Sequence, residues 1–224
     1  MRSDFSSSRL VRVLGEGPRV DTEAAGIDFA ERLGQGLNAF DAIGLLAAHR
    51  AIQAIDSAAP TTPAQRQHTR SGKWQAEFHR VRAALGEAIG HEPVPAALGA
   101  PEAAGYARYR QRHASLQRQM EQEITALREQ VRQALAGVSA GLRQLAALDA
   151  ALEPVVAARE QAHLPTVAAL LQKRFEQLRR ADEPGWPARF AAHWRDALLA
   201  ERDLRLAPVT GLLEALANEL KNRP

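Results

Sequence analysis

The chain contains no cysteine among its 224 residues. This absence excludes disulfides, thiolate nucleophiles and metal sites built on cysteine, and it fits a reducing compartment. Aromatic residues are also scarce, at 5% of the chain. Hydrophobic residues at 46% and charged residues at 25% are ordinary for a soluble globular protein. The chain is therefore long and apolar enough to bury a sizeable core without covalent support.

Long uncharged apolar runs are missing as well. No window approaches the roughly 18 apolar residues that a membrane span requires. The segment from Met1 to Leu14 lacks the apolar stretch of a secretory signal. We therefore expect a cytoplasmic protein without direct membrane insertion, which would reach the inner membrane only through a partner.

Lysine is rare, because 26 of the 29 basic residues are arginine and the lysines are Lys73, Lys173 and Lys221. The formal net charge of +3 and the isoelectric point of about 9.8 invite a nucleic-acid interpretation. Arginine and alanine both have GC-rich codons, however, so genome composition explains the arginine excess equally well. A small net charge of mixed sign mainly indicates solubility.

Apolar residues recur every three or four positions between Glu102 and Arg180. Such steps place one stripe on one side of a helix, as in helices that pack lengthwise against other helices. We predict an all-α, elongated helical bundle with a coiled-coil-like seam and shorter packing helices. The predicted seam consists of Tyr106, Tyr109, His113, Leu116, Met120, Ile124, Leu127, Val131, Leu135, Val138, Leu142, Leu145, Leu148, Leu152 and Val155.

The seam is too long for one straight helix. Two glycines flank Ser139, which is a candidate N-cap for a new helix. We predict two long antiparallel arms that reverse at this point. The first arm spans about 102–136, and the second spans about 140–180 with bends at Pro154 and Pro165.

Loops rich in proline and glycine divide the chain into three predicted regions. We predict that the last region forms one continuous core with the helix at 64–89, and that its C-terminal helices begin at Trp186 and Pro208. The regions are an N-terminal part with short helices at 1–57, a linker with a single amphipathic helix at 58–92, and a long helical hairpin with C-terminal helices at 102–224.

The N-terminal region holds a pair of short helices between Asp28 and Ile55 that shares its outline with the DNA-binding helix-turn-helix. Its second helix offers only His49, Arg50 and Gln53, whereas a DNA-reading helix normally supplies several basic or amide side chains. Core packing is the better account of this pair.

Several helical segments, spread over most of the chain, carry a resemblance to a known family. They are Asp28–Leu33, Glu77–Leu85, Leu145–Ala150, Ala158–Glu160, Glu201–Val209 and Gly211–Leu216. They resemble an uncharacterised bacterial family, a domain of unknown function. The resemblance implies no assigned activity. It also implies genes that neighbour those of stator-like proton channels, of the flagellar-motor and Tol type, and of peptidoglycan-binding, outer-membrane-protein-A-like proteins. By this association the protein is expected to be an accessory of an envelope or defence-type complex.

The sequence offers little for catalysis or metal binding. There is no phosphate-binding glycine loop, no nucleophile elbow and no zinc-protease motif. Glu160 and His163 have the spacing that di-metal bundles use, but the second such pair is missing. His113 is expected to be a hydrogen-bonded histidine of the seam. We predict no catalytic, cofactor or metal site, although three carboxylates would be candidates if buried, namely Asp41, Glu201 and Asp203.

Two arginine-rich clusters are the candidates for nucleic-acid binding. Arginines contact phosphates and tyrosines stack on bases, so an arginine cluster around Tyr106 and Tyr109 has the right chemistry. Both tyrosines lie in phase with the seam, however, which favours a solvated arginine face over a binding site. The first cluster is Arg108, Arg110, Arg112 and Arg118, and the second is Lys173, Arg174, Arg179 and Arg180.

The most favoured role is that of a non-catalytic helical adaptor or structural subunit, with a nucleic-acid-binding regulator as the alternative. Trp186 follows a loop rich in proline and glycine, and tryptophan is enriched at interface hot spots. Any part of the apolar seam that the chain itself leaves exposed would be covered by a protein partner or by a second copy, so an oligomer is expected. The candidate interface residues are Trp186, Leu212, Leu216 and Leu220.

Overall fold

The computed structural model describes residues 64–91 and 102–221, together with residues 13, 44, 46, 49, 50, 52, 53 and 55. Side chains at 64–71, 102–104, 156 and 159–166 lie outside this description. Within the described part of the chain the regular secondary structure is helical throughout, which confirms the predicted all-α fold.

Four long helices account for most of the described residues. They agree closely with the predicted helix at 64–89 and with the two predicted arms at 102–136 and 140–180. The helices are α1 at Ala64–Gly90, α2 at Glu102–Ala136, α3 at Ala140–Ala181 and α4 at Trp186–Lys221.

The predicted reversal between α2 and α3 is confirmed. The backbone N–H of Leu142 donates to Ser139 Oγ at 3.2 Å, as expected of an N-cap serine. Arg128 of α2 lies 2.7 Å from Asp149 of α3. Residues this far apart on one straight helix would be separated by roughly 30 Å, so the chain must turn back between them.

The prediction that a separate helix begins at Pro208 is wrong, because α4 continues through this proline. An interior proline removes one backbone hydrogen bond and costs about 3 kcal/mol. The turns on either side of Pro208 bury Leu206, Val209 and Leu212, each at 3% exposure or less. This burial offsets the cost of the proline and keeps the helix continuous.

The chain divides into two compact units, and each of the four helices contributes residues to both. Unit 1 comprises Met1–Arg19, Phe78–Ala126 and His163–Ala207. Unit 2 comprises Val20–Glu77, Leu127–Ala162 and Pro208–Pro224.

The core of unit 1 is built on the first half of the predicted seam. The N-terminal part of α2 buries apolar residues at steps of three and four, and the other helices contribute the same spacing. The buried residues include Val81, Leu85, Ile89, Leu116, Met120, Ile124, Leu171, Phe175, Phe190, Trp194 and Leu198.

The core of unit 2 follows the seam only as far as Leu142. The buried face of α3 then passes through Ala146, while Leu148 is 39% exposed and Leu145 and Leu152 are only half-buried. The predicted seam therefore does not describe the packing of α3 beyond Leu142. The reason is that Asp149 points inward to pair with arginines of α2, which rotates the leucines away from the core.

Candidate functional site

Phe175 of α3 is the centre of an aromatic cluster in unit 1. Its ring centroid lies 5.4 Å from that of Tyr106, 5.3 Å from Trp186 and 4.9 Å from Phe190. Several of these contacts are edge-to-face, the arrangement that aromatic quadrupoles favour. Most of the few aromatic residues outside the N-terminal region are thus gathered at one place.

The two tyrosines of α2 belong to this cluster. Tyr109 packs 4.9 Å from Phe190 and 5.4 Å from Trp194, measured between ring centroids. The Tyr106 hydroxyl donates a hydrogen bond to the carbonyl of Ala168 at 2.9 Å, and burial raises the pKa of this hydroxyl. Both rings are engaged within the protein, so the predicted position in phase with the seam is confirmed.

An open concavity of about 320 Å³ lies above this cluster, between α2 and α3. Tyr106 and Phe175 form its aromatic floor, and the charged groups of Arg110, Glu176 and Arg179 form its rim. Its volume is at the lower end of the range for ligand-binding clefts. Ala107 and Gln172 complete the lining.

The concavity brings together the two arginine-rich clusters that the sequence separates by some sixty residues. Arg110 comes from the first cluster and Arg179 from the second. The lining contains two arginines and one carboxylate residue, Glu176, so the rim carries net positive charge. The carboxylate of Glu176 lies 4.0 Å from the guanidinium group of Arg180. The arrangement favours an acidic group, because arginine binds carboxylates with charge-assisted hydrogen bonds.

The remaining arginines of the first cluster do not share one site. Arg112 donates to the carbonyl of Ala88 at 2.8 Å, which ties it to α1. Arg108 and Arg118 are exposed and do not line the concavity. The four arginines are thus divided between a structural contact, the rim and the open surface of α2.

The candidate interface residues fall into two groups. Trp186 is half-buried, with its ring edge against Phe175, and stays a candidate because part of it faces outward. Leu212, Leu216 and Leu220 are 3%, 2% and 5% exposed in the core of unit 2. Residues this deeply buried do not present their side chains to a partner, so these three leucines are core residues of unit 2.

A buried polar cluster surrounds Glu201 in unit 1. Its carboxylate accepts hydrogen bonds from Gln117 at 3.1 and 3.2 Å and from Arg205 at 3.0 Å. His113 is buried on the seam as predicted, with Nε2 3.8 Å from Glu201, and burial lowers the pKa of its imidazole. The expected hydrogen bond of His113 is not formed, since neither ring nitrogen has a partner among the described residues. The carboxylate of Glu201 instead accepts the hydrogen bonds of Gln117 and Arg205.

The other candidates for a functional carboxylate or a metal ligand either form ion pairs with arginines or lie outside the described residues. Asp203 pairs with Arg202 at 2.7 Å and with Arg82 at 3.4 Å. Asp41 lies outside the described residues, and the side chains of Glu160 and His163 are not described either. Among the residues that the structure describes, no group of three histidine, aspartate or glutamate side chains is arranged to hold a metal ion.

The predicted N-terminal pair of helices lies mostly outside the described residues. His49, Arg50 and Gln53 are exposed, and the side chains of His49 and Gln53 are hydrogen-bonded to each other at 2.9 Å. The remaining residues of the pair, and hence its predicted core packing, are largely outside the described part of the chain.

Sequence reasoning missed Phe175 and Glu176 as members of a site. Leu171, Phe175 and Leu178 have the spacing of a buried helix face, and this was the available signal for Phe175. Nothing in this spacing indicates which turn of α2 packs opposite Phe175 of α3, so the concavity itself could not be predicted.

Comparison with known proteins places the chain in a family. The family model described as "Protein of unknown function (DUF3348)" matches residues 1–218. The chain belongs to this family. No curated protein and no solved structure matches it. None of the described helices of this DUF3348 member combines the length and apolarity that crossing a bilayer requires.

Proposed function

We propose that this protein is a non-catalytic helical subunit that binds another protein, and that the concavity above Phe175 receives an acidic segment of that partner. The observation that carries the proposal is the convergence of Arg110 and Arg179 over an aromatic floor. A carboxylate of the partner would lie between the guanidinium groups, and an apolar part of the same segment would contact Phe175 and Tyr106.

Trp186 supports this assignment. It is half-buried beside Phe175, so part of a large aromatic surface adjoins the aromatic cluster. Tryptophan, tyrosine and arginine are the residue types most enriched among interface hot spots, and all three occur here. A partner that covers Trp186 would gain apolar burial next to the charged contact.

The identity of the partner is proposed from the gene neighbourhood that the family resemblance implies. On that basis the partner is a cytoplasmic segment of a stator-like proton channel or of another component of an envelope or defence-type complex. The protein would then be cytoplasmic and peripheral to the inner membrane through that partner.

Affinity purification of the tagged full-length protein at native abundance, from detergent-solubilised source cells, tests this function. We expect mass spectrometry to recover one protein with an acidic segment in stoichiometric amount, and a stator-like channel or its neighbours would support the finer assignment. Recovery of nucleic-acid-associated proteins, or of the tagged protein alone, would contradict the proposal.

A nucleic-acid-binding regulator is the second candidate, because the same convergence of arginines attracts phosphate. Tyr106 and Tyr109 are held in the aromatic cluster, which does not favour base stacking. Retention on heparin or DNA with a steep salt dependence would support this candidate. Elution at low salt would exclude nucleic-acid binding as the function.

A further inference from the structure

The seam of α2 contains a histidine whose ring is buried without a hydrogen bond. His113 is 5% exposed, and neither ring nitrogen has a partner among the described residues. A neutral imidazole carries one N–H donor, whereas a protonated imidazole carries two donors and a positive charge. The packing around His113 therefore suits the neutral ring, because a buried charge without a hydrogen-bonded partner is costly.

A carboxylate of α4 lies just beyond hydrogen-bonding distance of this ring. Nε2 of His113 is 3.8 Å from Oε2 of Glu201, whose side chain is 5% exposed. A charge-assisted N–H···O bond is about 2.8 Å long, so the two groups would have to approach each other by roughly 1 Å. At present the carboxylate accepts hydrogen bonds from Gln117, one turn after His113 on α2, and from Arg205, one turn after Glu201 on α4. A hydrogen bond from His113 therefore requires a rearrangement of this cluster.

The charged groups that act on His113 come from α4. Glu201 favours the protonated form of the ring, and Arg205 opposes it. Among the described residues of unit 1, the buried side chains of α1 and α3 are all apolar. Arg202, another buried charged residue of α4, is directed toward α1, where it donates to the carbonyl of Arg82. Glu201 is thus the counter-ion that the described part of unit 1 offers to a protonated His113.

We propose that His113 and Glu201 form a pH-sensitive switch between α2 and α4. With His113 neutral, the two helices pack as the structure shows. With His113 protonated, the ring draws the carboxylate of Glu201 away from Gln117, and the packing around Trp194 opens to water. Trp194 responds because its ring lies 6.4 Å from that of His113, between centroids, and because its buried indole N–H has no partner among the described residues.

The surroundings of His113 also determine the direction of the switch. Burial lowers the pKa of the imidazole below its ordinary value of 6.5, so the ring is neutral near pH 7 and acid drives the change. Tyr109 packs against both Trp194 and Phe190, so an opening around Trp194 reaches the aromatic cluster. This inference concerns the contact of α2 with α4 in unit 1 and does not depend on the proposed partner at the concavity.

The test follows the fluorescence of Trp194 in the full-length protein with Trp74→Phe and Trp186→Phe, which leave it as the only tryptophan. Tryptophan emission moves to longer wavelength when water reaches a buried indole. Between about pH 8 and about pH 5, we expect a reversible shift with a midpoint below 6.5 and an unchanged helical circular dichroism. His113→Gln should abolish the shift. The matched control, His79→Gln, should keep it, since His79 is an exposed histidine of α1 in unit 1.

A second measurement uses the wild type and keeps the inference testable if a variant does not fold. Amide hydrogen exchange is measured by mass spectrometry at about pH 7.5 and about pH 5.5 and corrected for the intrinsic exchange rate at each pH. We expect acid to increase exchange in the segments around His113 and Glu201 relative to the segments of α2 and α4 that belong to unit 2.

Three outcomes would overturn the inference. An emission shift that persists in His113→Gln would assign the change to another group. A Trp194 emission that stays constant down to the pH at which the helical signal is lost would show that no local opening occurs. An acid-induced rise in exchange of equal size in both units would show that acid destabilises the whole protein and not this contact.

Discussion

Individual buried residues in unit 1 combine packing with unusual electrostatics, and His113 is the clearest case. Its ring packs 6.4 Å from that of Trp194, between centroids, and it faces Glu201 and Arg205 of α4. Burial outweighs the attraction of Glu201 and keeps the imidazole neutral near pH 7. The seam thus contains a titratable group whose charged form the fold disfavours.

This leads to a prediction about pH. Because the pKa of His113 in the folded state lies below the ordinary value of 6.5, the unfolded chain binds more protons below that pH. Stability from this group is therefore present above about pH 6.5 and is lost as the pH falls toward the folded pKa. We expect the melting temperature to fall less between pH 7.5 and about 5.5 in His113→Gln than in the wild type. Identical pH profiles for the two proteins would contradict the assignment.

Trp186 gives the second prediction at this scale. Because it is half-buried, Trp186→Ala should change the melting temperature little while reducing the amount of partner recovered with the protein. Phe190→Ala is the control for a core position, since Phe190 is fully buried and should lose about 3–5 kcal/mol of stability. A loss of similar size for Trp186→Ala, measured by chemical unfolding, would make Trp186 a core residue instead.

Among the helices, α3 begins with a side-chain cap from Ser139 at the reversal from α2. Ser139→Ala removes the side-chain acceptor for the N–H of Leu142 and should cost about 1 kcal/mol. Ser115 is an exposed serine within α2, so Ser115→Ala should cost nothing measurable or stabilise slightly. Urea unfolding of both variants would check the difference, and equal stabilities would show that the cap is dispensable.

The ion pairs between α2 and α3 lead to the prediction of a larger loss of stability. Asp149→Ala leaves Arg128, whose side chain is 10% exposed, with Glu153 at 3.6 Å as its one remaining carboxylate partner among the described residues. We expect a loss of about 3 kcal/mol, because an arginine that is nearly buried keeps its charge and loses its closest counter-ion.

The control for this prediction is Glu129→Ala, which removes a carboxylate from the same network at a position with a side chain 50% exposed. Its loss should stay below about 1 kcal/mol, as for other solvent-screened pairs. If both variants lost the same amount of stability, the burial of the Arg128–Asp149 pair would not be the source of its strength.

The helices were largely predictable from sequence, because local signals determine them. Ser139 marks the start of α3, and the spacing of Leu116, Met120 and Ile124 identifies the buried face of α2. Pro208 was misjudged, since a local rule for proline cannot account for the burial of Leu206 and Val209 around it. The inward turn of Asp149 was equally hidden, because it depends on an arginine 21 positions away.

For the whole molecule, the concavity shows where sequence reasoning ends. Both arginine clusters were recognisable, but their meeting above Phe175 depends on how α2 packs against α3 in unit 1. Membership of the DUF3348 family covers nearly the whole chain without supplying an activity. The proposed function therefore rests on the charge and aromatic content of one surface.

The most direct test of that surface is a quantitative co-purification from source cells with three versions of the protein. These are the wild type, Arg110→Glu at the rim of the concavity, and Arg118→Glu on the open surface of the same helix. We expect Arg110→Glu to reduce the recovered partner severalfold, with an unchanged melting temperature, and Arg118→Glu to have no effect. Equal losses for both variants, or no loss for either, would contradict binding at the concavity.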